Sequence, residues 1–304
     1  EWPLLVERLQ ADAGVEVALC TGGSLLVAHQ ADLPHLDRLE RAVRRHVGQD
    51  PAMHALDRAA LAQLEPSLAE RFHRALWMEP EMAIANDALF AALLAAMEKR
   101  GAALRFQRSV QRMGQGWLEA GERRTFDWVV DCRGIGARSE IEGLRGVRGE
   151  VVRVRAPEVD LSRPVRLLHP RYPLYVVPRP GDRFVIGATE IESESRDGVT
   201  VRSALELLSA LFSLHPGFAE AEIEAMLSNL RPAFGDHRPR LEISDGLVRI
   251  NGLYRHGYLL APAMTGWVEN LILRGEAPEH PVVLRTASAE AESPEPVPPE
   301  AVLV

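Results

Sequence analysis

The sequence predicts two kinds of sheet in one chain: part of a doubly wound α/β unit, and an α+β unit built on an antiparallel sheet. Three observations predict this. First, a helical stretch at 88–100 leads through short apolar runs to FDWVVDC at 126–132. That strand closes on Arg133-Gly134-Ile135-Gly136-Ala137. A helix, a strand and then a glycine loop form the second half of a doubly wound fold, with ligands expected beyond the strand ends. Second, from Val147 onward short alternating strands are separated by turns such as Pro180-Gly181, the pattern of an antiparallel sheet. Third, residues 249–267, RINGLYRHGYLLAPAMTGW, carry one apolar run through Asn251-Gly252 into another. Asn-Gly marks a turn. The second run reads as a buried helix with Pro262 in its first turn, where a missing N–H does no harm.

In chain order, residues 1–13 read as a helix with Leu4, Leu5 and Leu9 on one face. Residues 15–28 read as a hairpin around Thr21-Gly22-Gly23. Residues 32–47 form an amphipathic helix whose Arg-rich end suits the helix dipole. A short helix over 56–68 is interrupted by Pro66, and 77–86 is a connector. Asn86 or Asp87 caps the helix that Gly101 stops. Strands are expected at 104–113 and 116–120, then the continuously buried strand 126–132. Strands at 151–155, 174–177 and 183–186 precede helices at 199–212 and 219–229. A strand at 247–251 and the C-terminal helix follow. Residues 285–304, rich in Pro, Glu and Ala, read as a disordered tail.

Composition narrows the function. Of 304 residues, 46% are hydrophobic and 26% charged, the balance of a globular protein. The net charge of −8 leaves a nucleic-acid partner without an electrostatic footprint. No run approaches the roughly 18 apolar residues a membrane span needs. Cys20 and Cys132 are the only cysteines and lie outside any CxxC pattern. That usage suits a reducing, cytoplasmic compartment and no zinc site. The ten histidines are scattered, with no metal spacing, and no nucleophile or phosphate-loop motif is present.

Candidate binding residues remain. Arg255 stands just before a helix start, where free N–H groups and partial positive charge collect. Its planar cation suits bidentate carboxylate capture. An ordinary strand–turn–helix junction with a surface arginine would show the same residues. Arg231 lies between a predicted helix and a loop, and Pro232 keeps it extended. It could reach a cleft or form a salt bridge. Tyr175 sits in a predicted strand and could line a site or pack the sheet. Gly134 and Gly136 give only G-x-G, compatible with a dinucleotide loop or a tight turn.

Taken together, the motifs GLYRHGYLLAPAMT, LRPAFGDHRP, LYVVPRPGDRFVIGATE, VVDCRGIGARS and LRGVRGEVVRV resemble the flavin-dependent amine oxidases of the D-amino-acid oxidase family, in that family's order. The resemblance runs from near the start to about residue 275. It implies oxidation of a small amino acid, such as glycine, by non-covalent FAD with molecular oxygen as acceptor, in the manner of the family's thiamine-pathway members. Arg255 and Arg231 would hold the substrate carboxylate, and Tyr175 would line the cavity. Residues Leu253, Tyr254, Arg255, His256, Gly257, Tyr258 and Leu259 would pass the flavin ring. Val110 would meet the adenine part, and Gly134 the cofactor loop. No dedicated catalytic base or metal is implied. The family's opening strand, G-x-G-x-x-G turn and helix have no counterpart here, so the FAD domain is expected to be incomplete, lacking its first βαβ unit. Residues 1–76 and 147–245 would form the substrate domain, and 77–146 with 246–276 the FAD domain. A homo-oligomer is possible. The alternatives are an oxidase or dehydrogenase of another amine (sarcosine, a D-amino acid, proline) and a non-catalytic fragment. Glu190, where some relatives carry an apolar residue, would either favour basic substrates or point to solvent.

Overall fold

The computed structural model describes residues 1–47, 52–169 and 172–285, with the backbone of 302–303. Helix α1 (Trp2–Ala13) starts with Pro3 in its first turn and ends at Gly14, whose φ of 69° favours glycine. β1 (Leu19–Cys20) and β2 (Ser24–Val27) follow, but not as the expected hairpin. β1 pairs with residues Ala83–Ile84, and β2 enters a different sheet. Gly23 turns the chain between the two because a Cβ there would collide with Trp77 and Met78. α2 (Leu33–Val47) is amphipathic as expected, with Arg44, Arg45 and His46 in its last turn.

β3 (Met53–Asp57) leads into α3 (Arg58–Leu64), which the Asp57 side chain caps by accepting from the Ala60 N–H. Pro66 opens the short α4 (Pro66–Ala69). Two strands run into the expected connector at 77–86: β4 (Arg74–Met78) ends inside it and β5 (Ala83–Ile84) lies within it. Apolar Ala75 and Leu76 are fully buried there, which favours strand pairing. α5 (Asn86–Lys99) begins without a side-chain cap, contrary to the expected role of Asn86 or Asp87. It packs on α1 through Val6, Leu9, Leu89 and Ala92.

The expected strand over 104–113 is broken. Only β6 (Ala103–Leu104) and β7 (Arg112–Gly114) are extended, and β7 joins β8 (Trp117–Glu119) and β9 (Arg123–Thr125) in a three-stranded sheet. β10 (Val129–Asp131) is shorter than expected. Val129 and Asp131 are buried while Val130 is 41% exposed, so the strand shows its two faces to different surroundings.

β11 (Arg145–Arg155), β12 (Val165–Leu167), β13 (Leu174–Arg179) and β14 (Arg183–Gly187) build the expected antiparallel texture. α6 (Val201–Leu214) is capped by Thr200 and buries Leu207, Leu211 and Leu214. The helix expected at 219–229 is a strand, β15 (Glu222–Ala233). Its composition favours a helix, but pairing with β11 from Arg145↔Ala233 to Arg155↔Glu222 overrides propensity. β16 (Arg240–Ser244), β17 (Leu247–Asn251), α7 (Gly257–Arg274), β18 (Val283–Arg285) and β19 (Val302–Leu303) complete the chain. Pro262 lies in the second turn of α7, not its first. Of the segment read as a tail, Arg285 ends β18 and β19 pairs with β6. Residues 286–301 and 304 lie outside the described residues.

The large sheet runs β15-β11-β14-β13-β12-β2-β4-β3, antiparallel except at β12–β2. A four-stranded sheet runs β10-β17-β16-β18, with β10 and β17 parallel. β4 carries the large sheet to Met78, past the expected boundary at 76/77, and β16 joins the smaller sheet before the expected boundary at 245/246. The main core lies between α6, α3, α4 and the large sheet, and a second core packs α7 on β16 and β17. Among the described residues, no helix is long and apolar enough to cross a membrane.

Candidate active site

The inner end of the large sheet and the start of α7 enclose one polar cluster. β14 ends at Gly187 and continues as Ala188-Thr189-Glu190-Ile191. Backbone hydrogen bonds pin this loop to β11. The Thr189 N–H donates to the Glu150 carbonyl (3.2 Å), and Arg148 and Ile191 exchange bonds of 3.0 Å. Glu190 is held between these two anchors.

Beneath the loop lies a buried pair. Arg148 Nη2 is 2.7 Å from Glu150 Oε1, and both side chains are almost wholly enclosed. The Thr189 hydroxyl donates to Glu150 Oε2 at 3.1 Å. Burial alone would raise the Glu150 carboxyl, but bonds from Ser203, Arg148 and Thr189 overcome it and hold the group below the usual carboxylate range.

Arg231 reaches the cluster from β15. Its guanidinium lies against Gly149 of β11, in space that any Cβ at that position would claim. Arg231 Nη1 donates to the Thr189 carbonyl at 3.1 Å. Tyr175, on β13, faces Gly187 in register. A Cβ on Gly187 would come 2.5 Å from the phenol oxygen. Burial pushes the Tyr175 phenol up, against the charges of Arg231, Arg255 and Arg179. It therefore remains a protonated donor.

The third approach is from β17. After Gly252 the chain turns through Tyr254, whose φ of 51° is rare outside glycine. The Tyr254 N–H donates to the Pro232 carbonyl at 3.0 Å, tying this turn to the residue after Arg231. Arg255 Nη1 then donates to Glu190 Oε2 at 2.8 Å, while the Tyr254 hydroxyl donates to Glu190 Oε1. The Tyr254 bond, followed by the charges of Arg255 and Arg231, holds the Glu190 carboxyl low. Burial and the Glu190 carboxylate push the Tyr254 phenol up to about 12. Glu190 is therefore open to solvent, with 45% of its side chain exposed, yet it is not free for a basic substrate: it is paired to the arginine expected to hold the ligand.

Tyr175, Glu190 and Arg255 line a cavity of about 830 Å³ that continues under α6. Arg231 stands behind the Thr189 carbonyl at the cavity wall, and its charge acts on Tyr175, Glu190 and Tyr254 alike. The structure thus brings Arg231, Arg255 and Tyr175 together. α7 starts at Gly257 without a side-chain cap, leaving first-turn N–H groups free, and Tyr258 and Leu259 are 43% and 72% exposed. Trp2 Nε1 donates to the Tyr258 carbonyl at 2.7 Å. Gly134, at φ 56°, lies beside Pro232, and its carbonyl accepts from Asn251 Nδ2 at 2.9 Å. Val110 is not part of this cluster; it packs with Leu118, Val129 and Leu247. Sequence reasoning missed Gly149 and Gly187, although glycine inside a strand signals a close approach.

The DAO family of FAD dependent oxidoreductases matches residues 2–271. The chain belongs to this family. It is 43% identical over 273 residues to the putative thiamine biosynthesis oxidoreductase ThiO of Rhizobium etli, covering 89% of this chain and 78% of that one. It is 28% identical to the glycine oxidase of Geobacillus kaustophilus over 90% of this chain and 75% of that one. The crystal structure of that glycine oxidase superposes with a TM-score of 0.77, over 91% of this chain and 77% of the other. The chain is thus an FAD-dependent oxidoreductase with the DAO fold, similar to glycine oxidase. The uncapped start of α7 and the exposed Tyr258 and Leu259 beside it fit a flat, partly apolar ring system with polar edges.

Proposed function

We propose that this oxidoreductase deaminates a small amino acid, glycine or one of similar size, consuming one water and one molecular oxygen to give the oxo acid, ammonia and hydrogen peroxide. The reading extends to supply of thiamine thiazole synthesis, as the name of the Rhizobium etli relative suggests. The observation that carries it is the convergence of Arg231, Arg255 and Tyr175, with Tyr258 and Leu259 exposed just after Arg255 in the chain. Arg255 offers the substrate carboxylate a charge-assisted bond from the cavity wall, and Arg231 adds its charge from behind Thr189. Tyr175 donates from its buried phenol. These groups fix the carboxylate and so orient the α-carbon toward residues 253–259.

Non-covalent FAD, when bound, supplies the two-electron acceptor. Leu253, Tyr254, Arg255, His256, Gly257, Tyr258 and Leu259 would flank its ring, Gly134 its loop and Val110 its adenine end. The substrate unit would comprise the large sheet with α6, and the cofactor unit the smaller sheet with α7. No side chain is required as a base if the amine reacts in its neutral form. The test is turnover of glycine, N-methylglycine, D-alanine and proline with peroxide as the readout. Peroxide from glycine supports the reading; preference for another amine moves the substrate within the class; no turnover of any amine rejects it.

A further inference from the structure

Glu190 is the one anionic side chain on the proposed carboxylate clamp, and its placement is built rather than incidental. The residues on either side are fixed to β11 by backbone bonds. Arg231 grips the Thr189 carbonyl from behind. Arg255 and Tyr254 close on the Glu190 carboxylate from the front. The guanidinium charges that act on Glu190 itself are those of Arg255 and Arg231, while that of Arg179 acts on Tyr175. Arg166, which also lines the cavity, is paired with Glu81, and α6 brings one charge of each sign to the cavity wall, Arg202 and Glu206.

Around Glu190 stand two guanidinium charges and its own carboxylate. The net charge of one positive unit is neutralised by a ligand with a single carboxylate and a neutral amine. A second carboxylate on the ligand would be left unneutralised, within a few ångströms of Glu190. Like charges at that separation in a partly enclosed site repel strongly.

We propose that Glu190 is a specificity-determining residue that admits monocarboxylic amines and rejects dicarboxylic ones such as N-carboxymethyl amino acids. This rests on the clamp reading given above. Arg255 thus serves in two pairings: Glu190 holds it in the free protein, and substrate shares it when bound.

Two ethers test this without turnover. Methoxyacetate and diglycolate share a C–O–C framework and differ by one carboxylate, and neither has an amine to oxidise. Their dissociation constants would be measured by calorimetry on the flavin-loaded protein, for the wild type, Glu190→Gln and Glu192→Gln. Glu192 pairs with Arg145 at the surface, so its variant removes the same unit of charge from the same loop. In the wild type, methoxyacetate should bind and diglycolate should bind more weakly. Glu190→Gln should shift the ratio toward diglycolate by about tenfold or more, roughly 1.4 kcal/mol, while Glu192→Gln leaves it within about twofold. An unmoved ratio in Glu190→Gln, or an equal shift in both variants, overturns the proposal while leaving the clamp intact. If the wild type binds neither acid, the clamp reading fails and takes this inference with it.

Discussion

Two arginine–glutamate pairs lie on either side of one loop, and their difference separates scaffold from site. Arg148–Glu150 and Arg255–Glu190 have nearly the same N–O distance, 2.7 and 2.8 Å. The first pair shows 4% and 0% of its side chains to solvent, the second 56% and 45%. In the first, Thr189, Ser195 and the Gly198 carbonyl take up remaining hydrogen-bonding positions. Such a pair cannot be loosened without stranding a charge in low dielectric. In the second, water can replace either partner, so the contact is worth little to stability and is free to be exchanged for a ligand. One pair fixes the loop, and the other uses it.

The largest expected effect breaks the inner pair. Arg148→Ala leaves Glu150 buried and uncompensated, and should cost about 3–5 kcal/mol of stability in denaturant unfolding. Arg255→Ala in the same assay should cost less than about 1 kcal/mol. Equal losses would erase the distinction between the two pairs. Next, Arg255→Ala should weaken substrate carboxylate binding by about 1.5–3 kcal/mol with flavin content kept. Turnover of glycine with an unchanged KM would remove Arg255 from the clamp.

A finer probe is Gly149→Ala. The added Cβ falls where the Arg231 guanidinium lies, and that flexible end can move. Melting temperature should hold, while carboxylate affinity falls about tenfold. Retained affinity would show that Arg231 acts from elsewhere.

The last test is a pH dependence, read on the other partner of the inner pair. Glu150 titrates below its unfolded value, so its contribution is full above about pH 5 and is lost as acid carries it through the folded value. The stability gap between wild type and Glu150→Gln, a variant that strands the buried Arg148 charge, is about 3–5 kcal/mol at neutral pH and should therefore close in acid. A gap that widens on acidification would reverse the assigned direction.

Much of this architecture was legible along the chain, because local signals and tertiary demands agreed. Pro180-Gly181 between alternating runs gave β13 and β14, and the apolar spacing of 199–212 gave α6. The arginine motifs, in order, gave the family. Legibility failed where long-range pairing decided. Residues 219–229 are helix formers, yet β11 offers an open edge and the segment completes the sheet. Thr21-Gly22-Gly23 resembles a hairpin turn, but the flanking runs find different partners. The site shows the same division. Arg231, Arg255 and Tyr175 carry chemistry in their side chains and could be singled out. Gly149 contributes an absence of atoms, and its meaning depends on a strand more than eighty residues away. Glu190 was visible as a departure, but its partner was not, since nothing in GATE points to Tyr254.

Asn251 latches the ends of two parallel strands. Its side-chain amide gives a hydrogen to the Gly134 carbonyl at the exit of β10, while its oxygen receives the Gly252 N–H on its own strand. Both halves of the amide are needed, one as donor and one as acceptor. A carboxylate of the same shape would set oxygen against oxygen at Gly134 and open the seam. An asparagine before glycine is also the pair most prone to lose its amide nitrogen by cyclisation onto the next N–H. The same two residues that shape the turn therefore give this crevice a built-in point of chemical ageing, shielded only while Asn251 stays 2% exposed in the folded protein.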